Sequence, residues 1–286
     1  MALRAGFGTF LWDNLVDLAS TTLAADSEEL AMPDTRLQQL ARWRKHRSTA
    51  GTSTVYNITL DGSGATGTNP VNVGAVVDFN GTDTGEIRLQ AWTDSLGGAT
   101  EVFDQTIQMD EYPRGVGTYG AGKFDSTVFD RNVVLFDIDL DTNPSAEFAR
   151  YWRYTLTDTN TSYQQASRVF LGQGVQFQVN YDYGRTSSRR ARSTEKIALG
   201  GQRYTQPRPS PVEIGLVFEN LTAAEETELQ IRERQHGEHS PFIFALSPGQ
   251  TLGEAQTQIY GHFEGFTLVR PRLNLHRWQT SVVEDL

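Results

Sequence analysis

The stretch EIRLQAW, residues 86–92, alternates apolar and polar side chains and therefore predicts a half-buried β-strand. Ile87, Leu89 and Ala91 fall on one face, because successive side chains of a strand point to opposite sides of the sheet. Six further runs with strand character lie between turn signals: VYNITL (55–60), GAVVDF (74–79), NVVLFDIDL (132–140), YWRYTLTD (151–158), RVFLG (168–172) and VQFQVNYDY (175–183). No helical pattern separates these runs, so the sequence predicts a β-sandwich or jelly roll.

The character of the sequence changes after residue 184. The segment RTSSRRARSTEK (185–196) is basic and linker-like, and QPRPSP (206–211) carries three prolines in six positions. Strand-like stretches surround them: IALGGQRY (197–204), VEIGLVFEN (212–220), PFIFALS (241–247) and IYGHFEGFTLVRPRLNLHRWQTSVVE (259–284). We therefore predict a mainly β protein with a jelly-roll sandwich over 1–175 and a second β domain over 176–286.

One long helix is predicted within the second domain, besides a short helical turn at 33–41. Thr222 and Glu225 form a capping box, in which each side chain satisfies an amide that the helix start leaves without a partner. The residues after it, 223–235, are mostly good helix formers. The helix is expected to lie across a sheet with most of its surface in water. Its apolar side chains are chiefly Ala224, Leu229 and Ile231.

The end of this helix contains residue types that bind zinc, in the stretch RERQHGEHSPFIF (232–244). His236, Glu238 and His239 lie within four positions, but they straddle the predicted helix terminus and no further ligand is identifiable. A zinc site needs three or four ligands in tetrahedral array. Gly237 is the residue type that ends a helix most easily in the left-handed conformation. We therefore interpret the stretch as a helix end and predict no metal site there.

Composition excludes several classes of function. The 286 residues include no cysteine, so no disulfide, thiolate metal site or cysteine nucleophile is expected. The formal net charge of −10 argues against wide nucleic-acid binding, which needs positive surface. No apolar run approaches the roughly 18 residues of a membrane helix. We therefore expect no membrane insertion. The first residues also lack the features of a signal peptide, so we expect no covalently attached N-linked glycan on this chain.

Catalytic motifs are missing from the sequence. It contains no Gly-x-Ser-x-Gly elbow, phosphate-binding loop or His-Glu-x-x-His pair, so we predict no enzyme and no cofactor. Asp137, Asp139 and Asp141 fall on one face of a predicted strand and could contribute to a calcium site. A solvated strand face is the interpretation that we favour for them.

Two groups of side chains are candidates for binding. A basic cluster could contact nucleic acid, pair with acidic surface on a neighbouring subunit, or belong to a solvated linker. Its members are Arg185, Arg189, Arg190, Arg192 and Lys196, and the four arginines are our candidate subunit interface. The five tryptophans could stack on sugar rings, although in a β-sandwich a tryptophan more often belongs to the core. They are Trp12, Trp43, Trp92, Trp152 and Trp278.

The first half of the chain resembles a known family. The quoted residues are NLVDLASTTLAADSEELAMPDTRLQQLARWRKHRS (14–48), ARYWRYTLTD (149–158) and SRVFLGQG (167–174). This pattern is similar to the discoidin-like, carbohydrate-binding-like jelly-roll modules found in tail proteins of bacteriophages and prophages. The resemblance implies that Trp43 and Trp152 fill the sandwich, while the arginine after each of them points outward.

The second half resembles small ring-forming domains of phage tail tips. The stretch VEIGLVFENLTAAEETELQIRERQHGEHSPFIFALSP (212–248), with the paired strands after it, is similar to lambda-type minor tail proteins and to the belt domain of distal tail proteins. The resemblance implies a β-sandwich or split barrel flanked by one helix. Distal tail proteins commonly place the ring domain first, whereas this chain places it second.

Together the resemblances imply a structural component of a phage or prophage tail tip. The second domain would form a ring of identical chains, sixfold in the family, that joins the tail tube to the tip or baseplate proteins. Such a protein would be assembled in the cytoplasm of the host bacterium and would reside in the virion tail. The alternative is a carbohydrate-binding adhesin, in which the jelly roll binds cell-surface sugar and the second domain is its mount.

Overall fold

The computed structural model describes residues 3–4, 7–49, 51–60, 70–82, 84–109, 133–138, 146, 149–181, 186–189, 194–197, 202–206, 210–237, 239–246, 258–272 and 275–285. The chain divides into two compact units. The first comprises Met1–Gln176 and Ile243–Gln258, and the second comprises Phe177–Phe242 and Ile259–Leu286. Within the described ranges, no helix has the length and apolar character needed to cross a membrane.

The secondary structure is mainly β. In chain order the strands are β1 (Thr9–Leu11), β2 (Thr22–Ala25), β3 (His46–Arg47), β4 (Ser53–Thr59), β5 (Val73–Val77), β6 (Glu86–Trp92), β7 (Glu101–Gln108), β8 (Val133–Asp137), β9 (Tyr151–Thr157), β10 (Gln165–Ala166), β11 (Arg168–Gly172), β12 (Thr186–Arg189), β13 (Thr194–Ile197), β14 (Arg203–Gln206), β15 (Val212–Leu221), β16 (Phe242–Ala245), β17 (Gln258–Arg272) and β18 (Leu275–Glu284). Two short 3-10 helices span Leu15–Asp17 and Asp34–Gln38, and the α-helix α1 spans Ala223–His236. These elements confirm the predicted fold class and the helical turn within 33–41.

The first unit is a sandwich of two antiparallel sheets, the jelly-roll arrangement predicted from the sequence. One sheet has the strand order β2-β4-β9-β6-β7, and the other has the order β11-β5-β8. Strand β6 matches the stretch EIRLQAW residue for residue, and its predicted inward side chains Ile87, Leu89 and Ala91 are fully buried. They belong to one hydrophobic core that draws side chains from both sheets.

The two sheets approach closely around Gly74 of β5. The hydroxyl of Tyr154, from the five-stranded sheet, donates a 2.6 Å hydrogen bond to the carbonyl of Phe170 in the three-stranded sheet. A Cβ added at Gly74 would lie 2.5 Å from Leu89 Cδ2 and 2.6 Å from the Tyr154 hydroxyl. Glycine is therefore required at this position, because a side chain would have to occupy space that the opposite sheet fills.

Of the seven strands predicted between residues 55 and 183, one is wrong. The alternation in VQFQVNYDY (175–183) predicts a strand, but after an isolated bridge at Val175 the described residues form no strand as far as 181. Phe177 is buried and contacts the ring of Phe218, whereas Val179 is 40% exposed. Phe177 and Tyr181 of this segment pack on the ring of Phe218, and beyond the bridge at Val175 no strand pairing accompanies the alternation in the described residues.

The second unit is built on an antiparallel sheet with the order β17-β18-β15-β12, and β13 pairs with β14. Ile214, Leu216 and Phe218 of β15 are buried on one face of this sheet. The rings of Phe218 and Trp278 stack with their centroids 5.4 Å apart, and Phe263 meets Trp278 edge-on. Aromatic packing therefore fills the core of this unit.

Helix α1 begins and ends where the sequence predicts. The Thr222 hydroxyl accepts from the Glu225 amide, the Glu225 carboxylate accepts from the Thr222 amide, and Gly237 follows the last turn with φ of 52°. Only part of the apolar content of the helix is buried. Leu229 is buried, but Ile231 is exposed and Glu226 is buried in its place, with its carboxylate 2.7 Å from His276 Nδ1 of β18. Ala224 is exposed too. The helix meets the sheet through a polar contact that hydrophobic periodicity could not reveal.

Candidate functional site

The predicted interface arginines lie almost entirely outside the described residues. Arg185, Arg190 and Arg192 are outside them, and so is Lys196 apart from its backbone position in β13. The backbone of Arg189 is described in β12, where it pairs with Val212 of β15. The interface role of this cluster therefore stays a prediction.

The acidic and histidine candidates do not form a metal site in the described part of the chain, where no group of three His, Asp or Glu side chains converges. His236 is the last residue of α1 and packs edge-on against the ring of Phe242, with centroids 6.3 Å apart. Glu238 lies outside the described residues, as do Asp139 and Asp141. The remaining member of the aspartate set, at 137, ends β8 and is half-buried.

The five tryptophans separate into two groups. Trp43 is 70% exposed, whereas the exposed fractions of the other four do not exceed 4%: Trp12, Trp92, Trp152 and Trp278. The expectation that Trp152 fills the sandwich is confirmed, and the same expectation for Trp43 is wrong. The reason is local: residues 41–44 form a turn closed by a 3.0 Å hydrogen bond from the Arg44 amide to the Ala41 carbonyl, so no strand carries Trp43 inward.

Trp43 lies at the end of the sandwich where several connections meet. Ser53 pairs with Thr157, and Glu86 pairs with both Thr157 and Gln108. These terminal residues of four strands therefore lie at the same end of the five-stranded sheet. Connections that leave this end of the sheet include residues 26–45, 78–85 and 158–164. We call these three connections the loop end. Loops that a rigid β-scaffold holds together commonly carry binding sites.

A buried ion pair anchors the turn that carries Trp43. Arg42 Nε and Nη2 donate to the two carboxylate oxygens of Asp78, at 2.8 and 2.6 Å, and both side chains are 9% exposed. Ser167 Oγ donates to the same carboxylate at 2.7 Å, and Lys45 Nζ lies 3.8 Å from it. Asp78 adopts a φ of 55°, a conformation that Asp tolerates better than most residues. The pair joins two loops that are 36 residues apart in sequence.

A second set of contacts joins the connection 78–85 to the connection 158–164. Asp158 accepts from the amide and hydroxyl of Thr82, the hydroxyl of Thr84 and the amide of Asn160. Burial raises the pKa of Asp158, but these hydrogen bonds outweigh burial and hold the pKa below its ordinary value. The ionised carboxylate therefore clamps the connections 78–85 and 158–164 together.

Arg47, in strand β3 directly after the connection 26–45, contacts Tyr163 of the connection 158–164. The guanidinium carbon of Arg47 lies 3.6 Å from the centroid of the Tyr163 ring, and its Nε lies 3.3 Å from Glu29. His46, just before it, is fully buried, and its Nδ1 lies 2.9 Å from the Tyr56 hydroxyl. Burial lowers the pKa of His46, so this ring is a neutral core group and not an exposed ligand.

Two neighbouring residues of this turn, Trp43 and Arg44, are exposed to solvent. The guanidinium carbon of Arg44 lies 4.8 Å from the centroid of the Trp43 ring. Its Nη1 donates a 2.7 Å hydrogen bond to the side-chain oxygen of Gln39. Leu40 in the same turn region is 47% exposed, and Leu30 earlier in the loop is 97% exposed. This loop therefore holds three of the six large hydrophobic side chains found exposed among the described residues.

Sequence reasoning missed most of the residues that build this site. Asp78 lies near the end of the predicted strand 74–79, and Arg42 lies within the stretch 14–48 that carries the family resemblance. One signal was available: Asp78 directly follows the fully apolar and fully buried strand β5. A buried carboxylate needs a cationic partner, and RWRK (42–45) is the nearest basic run in the same half of the chain.

Comparison with known proteins gives matches to solved structures only. No family model matches this chain, and no curated protein matches it. The GH29 fucosidase of Ruminococcus gnavus, in complex with fucose, matches at 9% identity and a TM-score of 0.37, over 57% of this chain and 27% of the fucosidase. The chain thus spans about a quarter of that enzyme's length.

Smaller proteins match over nearly their full length. CBM32-3, from a family 31 glycoside hydrolase of Clostridium perfringens, is 16% identical with a TM-score of 0.35, over 54% of this chain and 92% of the module. The family 32 carbohydrate-binding module of C. perfringens NanJ, in complex with galactose, is 13% identical with a TM-score of 0.35, over 58% and 99%. At these TM-scores the likeness carries no argument about function.

Proposed function

We propose that this chain binds carbohydrate at the loop end of the first unit, with Trp43 as the stacking surface. One observation carries the proposal: among five tryptophans, all of them described, Trp43 alone is exposed, and it lies on a turn held by a buried ion pair. Tryptophan combines a large apolar ring with an N–H donor, which suits a ligand that has both apolar ring faces and hydroxyl groups.

The anchoring of the turn favours a binding role over incidental exposure. An exposed indole on a mobile turn would lose conformational freedom when it bound a ligand, and that loss lowers affinity. Here Arg42 and Asp78 fix the residue next to Trp43 before any ligand arrives.

A glycan array tests this proposal, with the purified protein, its Trp43→Ala variant and Ile231→Ala as the matched control. Ile231 is also a large apolar side chain, 45% exposed, but it lies on helix α1 of the second unit. We expect the unmodified protein and Ile231→Ala to bind the same glycans. Trp43→Ala should lower the affinity about a hundred-fold or more, as loss of a central aromatic contact does.

Two outcomes would count against carbohydrate binding at Trp43. The first is the absence of binding to every glycan on the array by a folded sample. The second is equal binding by the protein and its Trp43→Ala variant, which would place any sugar site elsewhere. Thermal unfolding of each variant shows whether the protein is folded, and we expect the Trp43→Ala midpoint to match that of the unmodified protein, because the indole is mostly in solvent.

Ring assembly at a phage tail tip, with a location in the virion tail, stays a prediction from the sequence. If it is right, light scattering should give the mass of several chains, and negative-stain images should show closed rings. Neutralising Arg189, Arg190 and Arg192 together should lower the yield of rings without unfolding the protein. Equal ring yield from that triple variant would contradict the interface role of the cluster.

A further inference from the structure

We propose that the carbohydrate bound at Trp43 is acidic, and that Arg44 binds its carboxylate or sulfate group. This inference rests on the proposed carbohydrate binding and adds the chemical class of the ligand. It depends on which basic side chains near the Trp43 indole form ion pairs with carboxylates and which do not.

The basic side chains beside Trp43 differ in whether they are neutralised. Arg42 is paired with Asp78 at 2.6 Å, and Arg47 lies 3.3 Å from a carboxylate oxygen of Glu29. Arg44 forms no ion pair with any described residue. It is therefore a cation next to the exposed ring that has no anionic partner among the described residues, whereas Lys45 lies 3.8 Å from the Asp78 carboxylate.

The position of Arg44 suits a bound anion. Its guanidinium is held on one side by the Gln39 amide oxygen, at 2.7 Å, and its central carbon lies over the Trp43 ring, 4.8 Å from the centroid. A guanidinium has five N–H donors in a planar fork, and one amide oxygen occupies only part of that capacity. The fork matches two oxygens of a carboxylate or sulfate, and such charged hydrogen bonds are about twice as strong as neutral ones.

The overall charge of the protein makes this local cation informative. With a formal net charge of −10, the protein repels anionic ligands at long range, whereas a neutral sugar needs no cation for its recognition. An uncompensated Arg44 beside the stacking ring supplies the local attraction that an acidic sugar requires. The pair of side chains thus offers one face to the sugar ring and one fork to its charged group.

The test uses sets of glycans that share one core and differ only in charge: the neutral glycan, its sialylated form and its sulfated form. Five proteins are compared: the unmodified chain, Trp43→Ala, Arg44→Gln, Arg44→Lys and the control Arg88→Gln. Arg88 is an exposed arginine on the outer face of β6, where it pairs with Asp104. We expect acidic forms to bind tighter than their neutral core, with an affinity that falls as salt rises.

Arg44→Gln should lower the affinity for the acidic form about ten- to a hundred-fold and leave the weak binding of the neutral core unchanged. Arg44→Lys should lie between, because it keeps the charge and loses the fork, and Arg88→Gln should match the unmodified chain. Preference for sialylated over sulfated glycans, or the reverse, identifies the charged group.

Two results would overturn the inference. Neutral glycans that bind as tightly as acidic ones, with loss of binding in Trp43→Ala but not in Arg44→Gln, would leave carbohydrate binding standing and remove the acidic class. Absence of all glycan binding would remove both proposals together.

Discussion

Replacing Gly74 by valine is expected to destabilise the first unit by about 3 kcal/mol or more, one of the two largest effects that we anticipate. Even the first carbon of the new side chain would lie 2.5 Å from Leu89 Cδ2 and 2.6 Å from the Tyr154 hydroxyl, more than an ångström inside normal contact. Valine adds two methyl groups beyond that carbon. The two sheets would have to separate, and the hydrogen bond from Tyr154 to the Phe170 carbonyl would break.

Urea denaturation followed by near-ultraviolet circular dichroism measures this effect, with Thr155→Val as the control. Thr155 lies on β9 next to Tyr154 and faces away from the core, so the same new residue should change stability by less than about 0.5 kcal/mol there. An unchanged midpoint for Gly74→Val would show that the sheets are not packed as closely as described.

The second large effect is expected from Asp78→Asn, which removes one charge and keeps the shape of the side chain. Arg42 would then remain 9% exposed without its anionic partner, near Lys45. Loss of one partner from a buried ion pair typically destabilises a protein by about 3–5 kcal/mol. Asn tolerates the positive φ of this position, so the effect reports the charge and not backbone strain.

The chain provides a matched control in Asp104→Asn. Arg88 Nε donates to Asp104 at 2.7 Å in the same two-oxygen geometry, but these side chains are 45% and 33% exposed. We expect a change below about 1 kcal/mol there, because water screens an exposed pair. Glycan affinity should fall in Asp78→Asn and remain unchanged in Asp104→Asn. Equal destabilisation by the two variants would contradict the anchoring role assigned to Arg42 and Asp78.

The fold of the first unit was predictable because its signals are local. In β6, alternation alone places Ile87, Leu89 and Ala91 in the core, and the structure places them there. The helix start was equally accessible, since Thr222 and Glu225 are three residues apart and their reciprocal hydrogen bonds need no tertiary contact.

The site was not predictable in the same way, since it depends on contacts between distant loops. Arg42 and Asp78 are joined only when two connections fold together at one edge of the sheet. For Trp43 the prediction was wrong: a tryptophan within the family pattern was expected in the core, yet a turn at residues 41–44 directs it to solvent. Local sequence predicts which residues can be buried, whereas loop geometry decides which of them are left exposed for a ligand.

The most direct test of carbohydrate binding at Trp43 is an NMR titration of the protein, labelled with the NMR-active nitrogen isotope, with a glycan that binds on the array. The titration follows the five indole N–H signals in a proton–nitrogen spectrum. The signal of Trp43 is identified by its absence from the spectrum of a Trp43→Phe variant. We predict that this signal shifts progressively with added glycan while the four buried indoles stay in place. Saturable glycan binding that leaves the Trp43 signal unmoved would contradict the account.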